Sequence, residues 1–327
     1  MTAVGETSDW TITRLLTWTT DYLARSGIAD ARLSAEVLLA HAAGCRRIEL
    51  YTHFERVLDG DRLARFRDVV RRAADHEPIA YLVGHKEFYS LDIAVTPAVL
   101  IPRPETETLV AAVIDECDGR AGDVVHVLDV GTGSGCMAVA VLSRVPRARV
   151  VATDIAPAAL DVARGNAERH GVADRLTLAH AGGPPPPGGS VPPDRVARLD
   201  GAPPPNASVG DGPFAPPDVV PDGGFAVVMS NPPYVPLADV AGLDETVRAY
   251  EPHAALTDGG DGLGMFRMLA DRAGAVLSAG GAVFVEVGDG QAAAVVRVFD
   301  AAGGWTHRRT LRDTVVGQER VIAFARA

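Results

Sequence analysis

Between residues 124 and 288, short apolar runs alternate with stretches whose apolar residues recur every three or four positions. VVHVLDVG, RVVATDI, RLTLAH, FAVVMS and GAVFVEVG have the length and β-branched content of strands, whereas CMAVAVLSRV, PAALDVARGNAERHG and GMFRMLADRAGAVL carry helical spacing. A helix between two strands carries the chain back to the edge it left, so such an order builds a parallel sheet. Most of these runs lack polar alternation, which predicts burial on both faces. The fold class is therefore α/β, with any ligand held at the carboxyl ends of the strands, where the topology switches.

The flanks read differently. ITRLLTWTTDYLARSG, DARLSAEVLLAHAAG and DGDRLARFRDVVRRAADH are amphipathic helices that end in Gly or a polar break, and they predict a small bundle over residues 1–76. Alternation around YSLD predicts a β-hairpin within a linker at 77–104, with Pro102 and Pro104 stiffening the entry to a helix near Glu105. Residues 105–327 form the sheet domain, interrupted at about 182–224. That interruption holds 13 of the 23 prolines and few apolar clusters, so a disordered and dispensable insertion is expected.

Composition narrows the function. A net charge of −11 works against broad phosphate-backbone binding. The opening MTAVGETSDW lacks a basic stretch followed by an apolar one, and no apolar run approaches the roughly 20 residues of a membrane span, so a cytoplasmic protein without membrane contact is expected. Cys45, Cys117 and Cys136 are far apart and in no metal-ligand spacing, which predicts reduced thiols and no metal site.

VLDVGTGSGC sets Gly131, Gly133 and Gly135 between a strand and a helix, where glycine lets backbone approach a ligand closely. A dinucleotide fingerprint needs G-x-G-x-x-G, and position 136 is Cys. The spacing, preceded by Asp129, suits a nucleoside without a pyrophosphate; a tight structural turn is the alternative. Asp154, closing the next strand in ATDI, stands where a carboxylate can accept both ribose hydroxyls of an adenosyl group, or else cap the following helix.

SNPPYVP follows FAVVM, and two prolines force the chain out of the sheet at Asn231. NPPY at this place resembles the amino-methyltransferases that alkylate planar amide or amidine nitrogens. An amide nitrogen is a poor nucleophile because its lone pair is delocalised. If Asn231 Oδ1 and the Pro232 carbonyl each accept one substrate N–H, the nitrogen is held for attack and its growing positive charge is stabilised. Tyr234 can stack on the planar group and exclude water.

EFYSLDIAVTPAVLIPRPETETLV, VLDVGTGSGC, SNPPYV, YEPHAALTDGGDGL and VFVEVGDGQ occur in the order of the release factor glutamine methyltransferases, and the chain resembles that family from about residue 75 onward except in the insertion. The resemblance implies a Rossmann-like class I methyltransferase sheet, S-adenosylmethionine as donor, and the glutamine of the Gly-Gly-Gln loop of class I peptide chain release factors as substrate. It implies donor binding by Gly131, Thr132, Gly133, Ser134, Gly135, Asp154 and Asn231, a substrate clamp of Asn231, Pro232, Pro233 and Tyr234, and substrate recognition by the N-terminal helices.

One departure stands out. The family carries an acidic and an aromatic residue after the third strand, whereas LTLAHAGG supplies His180, Ala181 and Gly182. Either His180 or an insertion residue substitutes at the adenine; His180 as a catalytic base is the sharper alternative. Glu105 and Glu107 suit the first turn of their helix, Phe88 and Arg103 suit core packing and a surface ion pair, and Glu251 suits fixing the loop after the clamp. Competing functions are an adenine-N6 nucleic-acid methyltransferase, a nicotinamide-dependent oxidoreductase, and a binding module that has lost turnover.

Overall fold

The computed structural model describes residues 10–181, 219–313 and 317–327, in two compact units: one of residues up to His85 together with Asp244–Tyr250, the other of Lys86–Leu243 and Glu251–Ala327. The expected disordered insertion lies outside the described residues except for its end, 219–224.

The first unit is helical. It contains α1 (Ile12–Arg25), α2 (Ala31–Ala43), α3 (Arg47–Thr52), α4 (Gly60–Ala74) and α5 (Ile79–Val83). Asp59 caps α4 by accepting the Arg62 N–H at 2.9 Å, a contact worth about 1 kcal/mol. Leu15, Leu16, Leu23, Leu38, Leu39, Phe66 and Val70 supply the common core. Three helices match the sequence expectation; α3 and α5 are too short to show a period.

A two-stranded hairpin of β1 (His85–Phe88) and β2 (Leu91–Ala94), which from Lys86 on belongs to the second unit, is followed by α6 (Glu107–Asp118) after a 3₁₀ turn at Pro104–Thr106. β3 (Val125–Val130), α7 (Cys136–Arg144), β4 (Ala148–Asp154), α8 (Pro157–Arg169), β5 (Leu176–His180) and β6 (Phe225–Ser230) follow. α9 (Glu245–Tyr250) belongs to the first unit; α10 (His253–Leu256), α11 (Gly264–Arg272), β7 (Leu277–Glu286), α12 (Ala292–Ala302), β8 (Trp305–Arg312) and β9 (Glu319–Arg326) complete the second.

The sheet runs β5-β4-β3-β6-β7-β9-β8. The first five strands in that order are parallel as expected, but β9 is antiparallel to both β7 and β8, so the sheet is mixed. Val127, Leu128, Val227, Val228, Val283 and Phe284 are buried, as strands covered on both faces require. Among the described residues no helix is long and apolar enough to cross a membrane.

Two polar side chains inside this unit hold its carboxyl edge in shape. Asn166 of α8, fully buried, accepts the Ala94 N–H at 2.7 Å and donates to the Ala94 carbonyl at 2.9 Å and the Ser134 carbonyl at 2.8 Å, tying β2 and the loop after β3 to one helix. Asp129, also fully buried on β3, accepts the Thr132 hydroxyl at 2.7 Å through Oδ2, while Oδ1 has no partner. Burial pushes this carboxyl up to about 7, against the pull of the Thr132 hydrogen bond and with a further push from Asp154.

Both give predictions. Asn166→Leu leaves three backbone groups unpaired and should cost about 3 kcal/mol by chemical denaturation, at about 1 kcal/mol for each lost hydrogen bond; a loss under about 1 kcal/mol refutes this bracing role. Asp129 binds its proton more tightly folded than unfolded, so its contribution to stability declines as pH rises from the ordinary Asp range to about 7. Asp129→Asn should therefore shrink the difference in unfolding free energy between about pH 5 and about pH 8 by roughly 2 kcal/mol. An unchanged pH dependence would contradict the raised carboxyl.

Candidate active site

At the end of β3 the chain turns across the end of β4, because the Gly131 and Thr132 N–H groups both donate to the Thr153 carbonyl at 2.9 Å. Gly131, Gly133 and Gly135 have φ of +75°, +55° and +76°, in the left-handed region that costs other residues about 1–2 kcal/mol. Their surroundings divide the roles. A Cβ at Gly131 or Gly133 would meet nothing within 4 Å, leaving room beside bare backbone, whereas one at Gly135 would lie 2.9 Å from the Ala163 Cβ, where α7 packs on α8. The buried Thr132 side chain turns inward to Asp129, its N–H and carbonyl are taken by Thr153 and Gly135, and the Ser134 carbonyl is taken by Asn166. Cys136 is inert: burial pushes its thiol up to about 12.

Asp154 closes β4 beside this loop. Its Oδ2 accepts the Gly133 N–H and its Oδ1 the Ala156 N–H, each at 2.9 Å. Burial raises its pKa, opposed by hydrogen bonds from Ala156 and Gly133. The residue preceding α8 is Ala156, so Asp154 is not its cap. Ile155, next along, is exposed.

His180 faces Asp154 across the β4–β5 pair and is tied to the Ile155 carbonyl at 2.9 Å through Nε2. It sits three strand positions from β6, roughly 14 Å. That distance rules out direct proton transfer at Asn231 and overturns the catalytic-base alternative. Ala181 is buried, its N–H donating to the Asp154 carbonyl at 3.2 Å, and Gly182 lies outside the described residues.

β6 runs parallel to β3, with Asp129 opposite Met229, so Asn231 leaves the sheet on the edge where the glycine loop begins. The Ser230 hydroxyl donates to the Val130 carbonyl at 2.7 Å and locks the two strand ends together. Asn231 Nδ2 donates to Thr106 Oγ1 at 3.2 Å. Pro232 is buried, and Pro233 and Tyr234 are half-buried.

The loop's exit is held on two sides. The Tyr234 carbonyl accepts from Gln291 Nε2 at 2.8 Å, the Gln291 Oε1 itself accepting the Gly288 N–H at 3.0 Å. On the other side, Asp258 gathers the N–H groups of Gly260, Gly262 and Gly264 at 2.9, 3.1 and 2.6 Å. The turn it shapes lies so close that a Cβ at Gly262 would be 2.3 Å from the Tyr234 carbonyl oxygen. The recurrent glycines of TDGGDGL thus serve the loop after β6.

Beneath the loop lies Glu286, at the end of β7 and only 1% exposed. Burial pushes its carboxyl up to about 7, despite the pull of the nearby Thr106 hydroxyl and of the Arg320 charge. The Tyr234 hydroxyl points at Glu286 Oε1 from 3.5 Å, and burial raises that phenol to about 12.

Sequence reasoning missed Thr106, Asn166, Asp258 and Glu286. For Glu286 a signal existed: a carboxylate in the apolar run VFVEVG is costly to bury without a purpose. The minor expectations resolve individually. Glu107 accepts the Tyr89 N–H at 2.8 Å and fastens the hairpin turn, besides standing in the first turn of α6. Phe88 is core. Arg103 pairs with Glu251, which is buried and also accepts the Ile101 N–H at 3.2 Å. Among the described residues no three of His, Cys, Asp and Glu gather in a metal-holding group.

Residues 14–84 match the PrmC N-terminal domain family, and residues 105–186 match the ribosomal protein L11 methyltransferase (PrmA) family. A crystal structure of the release factor-specific protein-(glutamine-N5) methyltransferase from Alicyclobacillus acidocaldarius is 28% identical, covering 72% of this chain and 99% of that one, with a TM-score of 0.37. The release factor glutamine methyltransferase of Rhodopirellula baltica is 38% identical over 99% of this chain and 100% of its own length. That of Geobacter sulfurreducens is 40% identical over 90% of each. On this similarity along nearly its whole length, the chain belongs to the release factor glutamine methyltransferase family.

Proposed function

We propose that this protein methylates the side-chain amide nitrogen of the glutamine in the Gly-Gly-Gln motif of class I peptide chain release factors, with S-adenosylmethionine as donor, in the cytoplasm. The observation that carries the reading is the orientation of Asn231. Its Nδ2 end is committed to Thr106, which leaves Oδ1 as the acceptor offered at the strand edge shared with the glycine loop.

The residues present fit the donor. Gly131 and Gly133 offer bare backbone beside open space, Asp154 offers a carboxylate to ribose hydroxyls, and the exposed Ile155 offers an apolar surface to a base. When bound, S-adenosylmethionine supplies an electrophilic methyl group. The chain's own residues then hold the acceptor. Asn231 Oδ1 and the Pro232 carbonyl each take one amide N–H, directing the nitrogen's lone-pair face at the donor and stabilising the charge it gains. Tyr234 covers the planar group and keeps water out. No side chain need remove a proton before transfer, because the methylated nitrogen becomes acidic and gives its proton to solvent as the product leaves the site.

Residues 1–76 are the recognition domain in this reading, 77–104 the hairpin linker and 105–327 the transferase domain. Similarity along the whole chain to release factor enzymes, together with a net charge of −11, favours a protein substrate over a nucleic acid.

The test is a methyl-transfer assay on a folded release factor, on a short peptide of its Gly-Gly-Gln loop, and on DNA. The folded factor should be far the best substrate, since residues 1–76 exceed what holding one side chain requires. Equal kcat/KM on the peptide refutes recognition by that domain, and preferential DNA methylation refutes the substrate. Asn231→Ala should lower the rate by about 10²–10³ while S-adenosylmethionine affinity, measured calorimetrically, falls less. Full activity in Asn231→Ala would overturn the clamp.

A further inference from the structure

Pro232, Pro233 and Pro236 leave the segment after Asn231 with few N–H groups of its own, so it cannot anchor itself as a strand would. Two of the N–H groups it keeps go to one neighbouring turn. Val235 donates to the Leu256 carbonyl and Leu237 to the Gly260 carbonyl, both at 2.9 Å, and these carbonyls stand on either side of Asp258. Gly262 of the same turn is buried against the Tyr234 carbonyl, and a Cβ there would also lie 3.0 Å from the Pro236 nitrogen. One carboxylate holds three of the turn's N–H groups: Oδ1 of Asp258 accepts from Gly260 and Gly262, and Oδ2 from Gly264, where α11 begins and negative charge is favoured.

We propose that Asp258 is a positioning residue for methyl transfer: by moulding this turn onto the backbone of Tyr234, it fixes where the Pro232 carbonyl meets the substrate amide. The proposal rests on the clamp reading of Asn231 and goes beyond it. Proline holds φ at about −65°, so Pro232 and Pro233 make a stiff bridge from Asn231 to Tyr234. The near end is fixed where the Ser230 hydroxyl donates to the Val130 carbonyl at 2.7 Å. The far end is fixed by the turn on one side and, on the other, by Gln291 Nε2, which donates to the Tyr234 carbonyl at 2.8 Å. A stiff bridge cannot absorb a shift at one end, so loosening the turn moves the acceptor carbonyl and the Tyr234 ring together. A misplacement of about 1 Å can cost about 10²-fold in rate.

Two glycines of the turn separate positioning from stability. Gly259 and Gly262 have nearly equal φ, +78° and +76°, so alanine at either brings the same backbone strain. Gly259 is exposed and a Cβ there would meet nothing within 4 Å, whereas one at Gly262 would drive into the Tyr234 carbonyl. A turn that served the fold alone would make Gly262→Ala less stable but leave the kcat of the folded enzyme as it was.

The experiment compares wild type, Asp258→Ala, Asp258→Asn, Gly259→Ala, Gly262→Ala and Asn231→Ala. It measures kcat and KM on a folded release factor, S-adenosylmethionine affinity by calorimetry, thermal unfolding, and hydrogen exchange at the Val235 and Leu237 N–H groups. Gly262→Ala should lose about 10²-fold in kcat and Gly259→Ala less than about threefold, with S-adenosylmethionine affinity within about threefold of wild type in both. Asp258→Ala, which gives up all three N–H groups, should lose at least about tenfold in kcat together with the exchange protection of Val235 and Leu237. Asp258→Asn should recover most of both, because its amide oxygen still accepts from Gly260 and Gly262. If Asp258→Ala fails to fold, the asparagine variant and the glycine pair still decide. Wild-type kcat in Gly262→Ala, with Asn231→Ala inactive, overturns the positioning role and leaves the clamp standing, whatever the change in thermal stability. Equal kcat losses in Gly259→Ala and Gly262→Ala do the same. An active Asn231→Ala overturns both.

Discussion

Parallel pairing of β3 with β4 on one side and β6 on the other is the constraint on which the site depends. Parallel strands end on the same edge, so the three loops that leave them are neighbours whatever their separation along the chain. Gly131, Asp154 and Asn231 meet for that reason alone. The ladder also sets their relative heights: Ser230 is tied to the Val130 carbonyl, and Gly131 and Thr132 are tied to Thr153. The loops after β3 and β6 are thereby held in register by the strand ladder and by the Ser230 hydroxyl.

The site is built at a cost in buried polar groups. Asp129 and Glu286 are carboxyls enclosed in an apolar sheet, each with one oxygen lacking a partner. Burial of this kind costs free energy unless it is paired. Each lies beneath a loop that must hold an unusual shape. Asp129 supports the left-handed glycine turn through Thr132, and Glu286 lies 3.5 Å from the Tyr234 hydroxyl of the proline loop. The apolar strands around them supply the stability that tolerates both.

The glycines serve three separate physical purposes. Gly131 and Gly133 leave space, Gly135 lets two helices touch, and Gly262 lets a second loop press against the backbone of Tyr234. All four have positive φ, but only the first two face open space. The same residue type in one motif is therefore divided between leaving open space and packing, and only the neighbours across the fold distinguish them.

Much of this was legible from the order of residues. The parallel half of the sheet, the helices of the first unit, the glycine loop and the departure at Asn231 follow from periodicity, glycine spacing and the geometry of proline, all local properties. The edge strand β8 was not, because WTHRRTLR is largely exposed and polar and carries no burial pattern, so the antiparallel edge it makes with β9 emerged only on folding. Thr106 and Asn231 lie 125 positions apart, Ala94 and Asn166 72, and Tyr234 and Glu286 52. Residue order alone determines which chemical groups the chain possesses and which short segments curl or extend. Tertiary structure decides which end of an amide is already paired and which carboxylate is dry, because hydrogen-bond direction and desolvation depend on neighbours that sequence distance does not reveal.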